Sequence, residues 1–124
     1  MPFPVAVELI HRTGAKLGVR FPPSYVDRMS AENGGSITLD DEDWALYPIF
    51  DDSDRQRLKR TCQDVVHETE EARAWPGFPE GAVAIASNGS GDQLVFLPVS
   101  GGGLDEAPWR WDHETGEVTR VGEG

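Results

Sequence analysis

Phe21-Pro22-Pro23-Ser24-Tyr25 and, a little further on, Asn33-Gly34-Gly35-Ser36-Ile37-Thr38-Leu39 decide how this chain is read. A residue ahead of a proline is pushed out of the α region, so Phe21 and Pro22 are expected to be extended. Pro23 suits the opening of a short helix that runs to about Glu32, with Tyr25 and Met29 as an i,i+4 apolar pair. Asn33, Gly34 and Gly35 accept the left-handed conformation that closes a helix. Ser36 to Leu39 is rich in β-branched residues and is expected to be a strand. The segment is a helix handing over to a strand.

Upstream, residues 4–18 read as a first helix, with Pro4 in its first turn and Ala6, Leu9, Ile10 and Leu17 near one face. Gly14 weakens it by about 1 kcal/mol relative to alanine. Downstream, the acidic turn Asp40 to Asp43 joins the first strand to a second, Trp44 to Ile49. Residues 54–74 are expected to form the longest helix, with Leu58, Cys62, Val65, Val66, Thr69 and Ala72 on one stripe. Cys62 is read as a small buried hydrophobe on that stripe. Pro76, Gly77 and Pro79 end the helix. Ala82 to Ala86 and Leu94 to Leu97 are paired strands across the turn Asn88-Gly89-Ser90-Gly91-Asp92. A loop from Ser100 to Pro108 leads to a last hairpin, Trp109 to Trp111 and Val118 to Val121, across His113 to Gly116. Val121 to Gly124 reads as a frayed tail. Residues 1–124 thus make one α+β domain, a mostly antiparallel sheet with helices packed against one face.

Acids outnumber bases 22 to 11, a formal net charge of −11. Such a chain repels nucleic acid and anionic membrane surfaces and favours basic partners. Met1 to Leu9 has no basic leader, and no apolar stretch reaches membrane-span length, so the cytoplasm is the expected compartment. Cys62 is the single cysteine, which leaves no intramolecular disulfide to form. No feature of the sequence sets an oligomeric state.

The order of these signals resembles the SUKH superfamily, the Smi/Knr-type domains and their bacterial relatives. The residues that carry the likeness are Leu17-Gly18-Val19-Arg20-Phe21-Pro22-Pro23-Ser24-Tyr25, Asn33-Gly34-Gly35, Trp44-Ala45-Leu46-Tyr47-Pro48, Asn88-Gly89-Ser90-Gly91-Asp92 and Trp111-Asp112-His113. They span about the whole chain. Pro22, Tyr25, Asn33, Gly34, Gly35, Trp44, Gly89 and Gly91 are the structural positions of this set. The resemblance implies an α+β fold without enzymatic activity. It also implies a role that differs by member: silencing a toxin in bacteria, scaffolding in fungi. The turn Asp40-Asp41-Glu42-Asp43 departs from the family's pattern.

Between Asp40 and Asp54 stand seven acids (Asp40, Asp41, Glu42, Asp43, Asp51, Asp52 and Asp54) and no base. Two readings are open: a solvated turn and helix start, or a contact surface for a basic protein. A calcium loop is disfavoured, because its glycine and alternating ligand spacing are missing. His11, His67 and His113 lie near no cysteine pattern, so no metal or other cofactor is expected. The glycine-rich turn lacks a P-loop lysine and precedes a strand. Catalysis by Cys62 or Ser90 is disfavoured, the first by burial and the second by the absence of an elbow motif. Trp109 and Trp111 share one strand face, which is either core or binding surface. The expected function is a non-catalytic protein-binding domain, in the first place a bacterial immunity protein that neutralises a basic secreted toxin domain such as a nuclease. The alternatives are a regulatory or scaffold module and, remotely, a metal-dependent hydrolase using the acidic run. The partner-binding candidates are the seven acids with Trp109 and Trp111.

Overall fold

In the computed structural model, which describes residues 3–121, the Asn33 side chain bonds as a strand would. Its Nδ2 donates to the Ile49 carbonyl at 2.9 Å, and its Oδ1 accepts from the Ile49 amide at 2.7 Å. Its own backbone amide donates to the Phe3 carbonyl at 2.8 Å. Gly34 and Gly35 follow with φ of 108° and 83°, and a Cβ on Gly35 would stand 2.9 Å from Glu32 Oε1. Only glycine makes this turn without strain.

The elements follow as α1 (Val7–Leu17), α2 (Pro23–Ala31), β1 (Ser36–Leu39), β2 (Glu42–Leu46), α3 (Arg55–Arg60), α4 (Val65–Arg73), β3 (Val83–Ser87), β4 (Gln93–Phe96), a 3-10 turn Ser100–Gly102, β5 (Trp109–Trp111) and β6 (Val118–Arg120). The strands form one sheet in the order β1-β2-β3-β4-β5-β6, antiparallel throughout. The chain is α+β with an antiparallel meander, as the hairpin signals require.

Beyond shifts of one residue at the ends of β3 and β4, four boundaries differ from the sequence reading, each for a structural reason. The first helix begins at Val7, because Val5 donates to Ser30 O at 3.2 Å and the segment from Phe3 to Val5 runs beside the end of α2. Pro4 is therefore outside the helix. The first strand turn is only Asp40-Asp41, with φ of 53° and 63°, which are the signs of a type I′ hairpin turn. Aspartate tolerates this left-handed region, so the ladder starts at Glu42 and stops before Pro48, which has no amide to offer. The single long helix is two. Asp54 caps α3 by accepting from the Arg57 amide, and Asp64 caps α4 by accepting from His67 N at 2.9 Å. Between them the Thr61 hydroxyl accepts from Asp51 N, and Val65 N donates to Pro48 O. The expected stripe is broken with it: Cys62 and Leu58 are exposed. Finally, Val121 is buried and its amide bonds Pro108 O, so it is not part of a frayed tail. Gly122 to Gly124 lie outside the described residues.

Two apolar clusters cover the sheet. The larger joins Ile10, Tyr25, Met29 and Val65 of the helices to Trp44, Leu46, Val83, Ile85, Leu94 and Phe96. A bulge between Ala84 and Ala86 places both Ile85 and Ala86 in this cluster. The smaller cluster holds Ala72, Ala82, Ala84, Val95 and Trp111 beneath Phe78. Where β2 departs, α4 bonds β3 directly, since Thr69 Oγ1 accepts from Ala84 N at 3.0 Å. Gly14 brings α1 close to the link that follows, as a Cβ there would stand 2.7 Å from Val19 O.

Replacing Asn33 with alanine orphans both backbone groups of fully buried Ile49. The expected loss in chemical denaturation is about 2–4 kcal/mol, and Gly35→Val is also destabilising through its positive φ. Cys62, contrary to the stripe reading, is expected to react with an aromatic disulfide reagent in the native state without denaturant. A thiol silent until unfolding contradicts its exposed position after α3.

Candidate partner-binding site

The acidic run is split into two places. Asp40, Asp41 and Asp43 stand exposed at the tip of the β1–β2 hairpin. The other half is committed to local structure. Asp51 is buried, accepts from Ser53 N at 3.0 Å and Ser53 Oγ at 2.6 Å, and faces Arg57 Nε at 3.7 Å. Asp52 pairs with Arg12 at 3.2 Å, and Asp54 caps α3 while pairing with Arg57. The expectation that all seven acids form one outward surface is corrected by this division: Asp51 points inward because it ties the end of α3 to the segment after β2.

Glu42 faces the opposite side of the hairpin from Asp43, as alternation along a strand demands. It accepts from Asn88 Nδ2 at 2.7 Å and from Arg110 Nη1 at 3.0 Å. Arg110 also donates through Nε and Nη2 to Asp92 Oδ2, at 3.1 and 2.6 Å. The other oxygen of Asp92 accepts from His113 N at 3.2 Å and meets His113 Nδ1 at 2.7 Å. The chain Glu42–Arg110–Asp92–His113 thus stitches β2, the β3–β4 turn and β5 together. Gly91 is required at its centre, because a Cβ there would stand 2.8 Å from His113 Cε1. Burial raises the Asp92 carboxyl, but the hydrogen bonds from His113 and Arg110 outweigh it and leave the pKa at about 2. The same bond to Asp92 raises His113.

Asp92, Asp112 and His113 are close enough to share a cation. The Arg110 guanidinium, however, already supplies a positive charge to Asp92, so these groups are explained as an ion-pair network. His11 and His67 lie on α1 and α4. None of Asp92, Arg110 and His113 is among the contact residues expected from the sequence. The Asn-Gly-x-Gly-Asp turn and the Trp111-Asp112-His113 stretch are the signals near them, and neither shows the pairing with Arg110.

Two hollows open beside these groups. The first is lined by Leu39, Asp40, Glu42, Arg110, Asp112 and Glu117 among others, so the tip of the first hairpin lies near the last one. The second, of 220 Å³, is lined by Tyr25, Ile37, Leu39, Leu46, Leu94 and Phe96 among others. That volume is below the roughly 300 Å³ at which small-molecule sites begin, and the lining is mostly apolar. Leu39 lines both. Together they form an apolar floor continuing into a charged rim built from two segments far apart in sequence, in which Asp40, Glu42, Asp112 and Glu117 stand with Arg110 and Arg120. The Tyr25 hydroxyl is buried and has no hydrogen-bond partner among the described residues; burial raises its pKa.

Trp111 is 1% exposed, donates to Gly77 O at 3.0 Å and meets Phe78 edge-on. It belongs to the core, so the binding face expected of the tryptophan pair loses this member. Trp109 is partly buried beside it, and Trp75, 55% exposed, is the indole that reaches the surface.

Asp92 stabilises the fold most above its ordinary value of 3.8, and that contribution is lost as pH falls toward about 2. His113 contributes fully below 6.5 and loses its contribution as pH rises through its raised value. Urea denaturation is expected to show the deficit of Asp92→Asn shrinking on acidification. An equal deficit at all pH values contradicts the network.

No helix among the described residues is long and apolar enough to cross a membrane. A family model, described as the SMI1 / KNR4 family (SUKH-1), matches residues 4–124. No curated protein and no solved structure matches the chain.

Proposed function

The chain belongs to the SMI1 / KNR4 family (SUKH-1), and from that membership we propose that it is a non-catalytic, immunity-type domain that binds a basic toxin domain and masks its working surface. The observation that carries this reading is the groove whose apolar floor runs into a rim where Asp40, Glu42, Asp112 and Glu117 outnumber Arg110 and Arg120. An apolar centre gives affinity by excluding water, and a charged rim sets encounter rate and partner choice. A nuclease-type toxin needs cationic groups to hold phosphates, and an acidic inhibitor is complementary to that surface. The net charge of −11 adds long-range attraction to the same partner. The cytoplasm, where such a toxin would act on its producer, is the compartment this reading requires. A regulatory or scaffold role in the Smi/Knr manner uses the same groove without a toxic partner.

The two roles separate in a growth assay. Proteins encoded beside this chain are expressed in a susceptible cell with and without it. Rescue from a toxic neighbour supports immunity, whereas a stable complex with a harmless neighbour supports the scaffold role. For the partner so found, Asp40→Asn, Asp41→Asn and Asp43→Asn together are expected to leave the fold intact, because asparagine keeps the left-handed turn and exposed charges add little stability. Association should slow by about tenfold, with a weaker salt dependence, while dissociation changes little. An unchanged on-rate by surface plasmon resonance at two salt concentrations removes the tip from the binding surface.

A further inference from the structure

We propose that the outer edge of β1 receives an extended segment of the partner as an added strand, in which apolar residues alternate with lysine or arginine. The inference rests on the partner-binding reading above and specifies how the partner is held.

The edge itself is the first observation. β1 ends the sheet order, so no strand among the described residues pairs with its outer side. Leu46 N donates to Gly35 O at 2.9 Å, and Leu39 and Glu42 flank the two-residue turn. Hydrogen-bonded pairs alternate along an antiparallel ladder, so Ile37 and Leu39 bond inward to β2, and the backbone groups of Ser36 and Thr38 turn outward. Arg28 Nη2 approaches the Ser36 carbonyl at 3.4 Å, leaving the Thr38 amide and carbonyl facing away from the sheet. Proteins blunt exposed edges with charges, prolines or bulges. β1, Ser36-Ile37-Thr38-Leu39, carries none of these on the strand. The opposite edge, β6, carries Arg120, and the chain leaving it is fastened by the Val121 amide to Pro108 O.

The floor beside that edge is the second observation. Ile37 and Leu39 share the face that lines the hollow, and both are only partly buried. Tyr25 lines the same hollow, is 5% exposed, and keeps a hydroxyl without a partner among the described residues.

Charge chooses the occupant. Thr38 and Asp43 lie on the other face of the hairpin, opposite one another, and Asp40 and Asp41 close its end. An added strand therefore meets a mainly apolar surface on one face, with Arg28 and Glu106 at its margin, and carboxylates on the other. Alternate side chains point to opposite faces, so apolar and basic residues must alternate. A second copy of this chain is disfavoured as occupant, because each copy carries −11.

The test is amide and methyl NMR of the intact chain titrated with a short synthetic peptide of alternating valine and lysine, to about 1 mM, where even a weak complex is populated. Shifts are expected at the amides of Ser36 and Thr38 and at the methyls of Ile37, Leu39 and Leu94. A peptide with proline at its centre should bind about tenfold more weakly, and one with glutamate for lysine should give no shift. Equal binding of the proline peptide, shifts confined to Asp40 to Asp43, or no shifts at all overturn the inference. Thr38→Pro, checked for folding by its thermal transition, adds a variant arm. If it folds and takes up a partner from the growth assay with undiminished affinity, strand addition fails while the partner-binding reading stands. If no neighbour forms a complex but the valine–lysine peptide binds β1 as described, the partner assignment fails and the edge remains a peptide site.

Discussion

The pair of hydrogen bonds between the Asn33 side chain and the backbone of Ile49 is the interaction on which the rest of this structure depends. It joins the end of α2 to the segment leaving β2, and the Asn33 amide adds the chain's start through Phe3. The two glycines after it turn the chain at once into β1. An aspartate would offer acceptors and no donor, and a leucine would offer neither. The larger core can close only when these segments are registered, because Tyr25 and Met29 come from α2, and Trp44 and Leu46 from β2.

Registering the first hairpin under α2 also fixes where its acidic tip goes. Glu42 meets Arg110, a residue distant in sequence, and Arg110 is in turn held by Asp92. The tip of the first hairpin and the last hairpin are thereby kept as one rim. Arg110 neutralises the acids that face inward, while Asp40, Asp41 and Asp43 stand exposed at the tip. At the other end, Arg12 and Arg57 engage Asp52, Asp51 and Asp54. Where the arginines are placed therefore shapes the acidic rim more than the number of acids in the sequence does.

Much of this was legible in the residues. The extended Phe21-Pro22 link, the helix opening at Pro23, the first strand and both later hairpins are local, and local chemistry announces them. The division of the 54–74 helix was not, since apolar spacing runs through the gap and only the cap at Asp64 interrupts it. Asp54 was read at a helix start, whereas Asp64 lay inside the expected helix and went unread as a cap. Burial of Asp51 depends on Thr61, Ser53 and Arg57 converging on it. Trp111 was left between core and surface because alternation gives a face without saying what covers it; Phe78 and Gly77 decide the matter. The rim's second half, Asp112 and Glu117, and the network of Asp92 were beyond reach for the same reason: they exist only once strands far apart in sequence have been assembled.

The type I′ turn at Asp40-Asp41 has a consequence for how such a protein diversifies. Its backbone demands only residues at ease with positive φ, and aspartate, asparagine and glycine all qualify. Aspartate is charged and the other two are neutral, and each leaves strand register and core untouched. Glu42, one position further, is locked to Asn88 and Arg110 and has no such freedom. Single substitutions can therefore rewrite the electrostatics of the tip while remaining silent for folding. The fold acts as a fixed chassis carrying an adjustable charge.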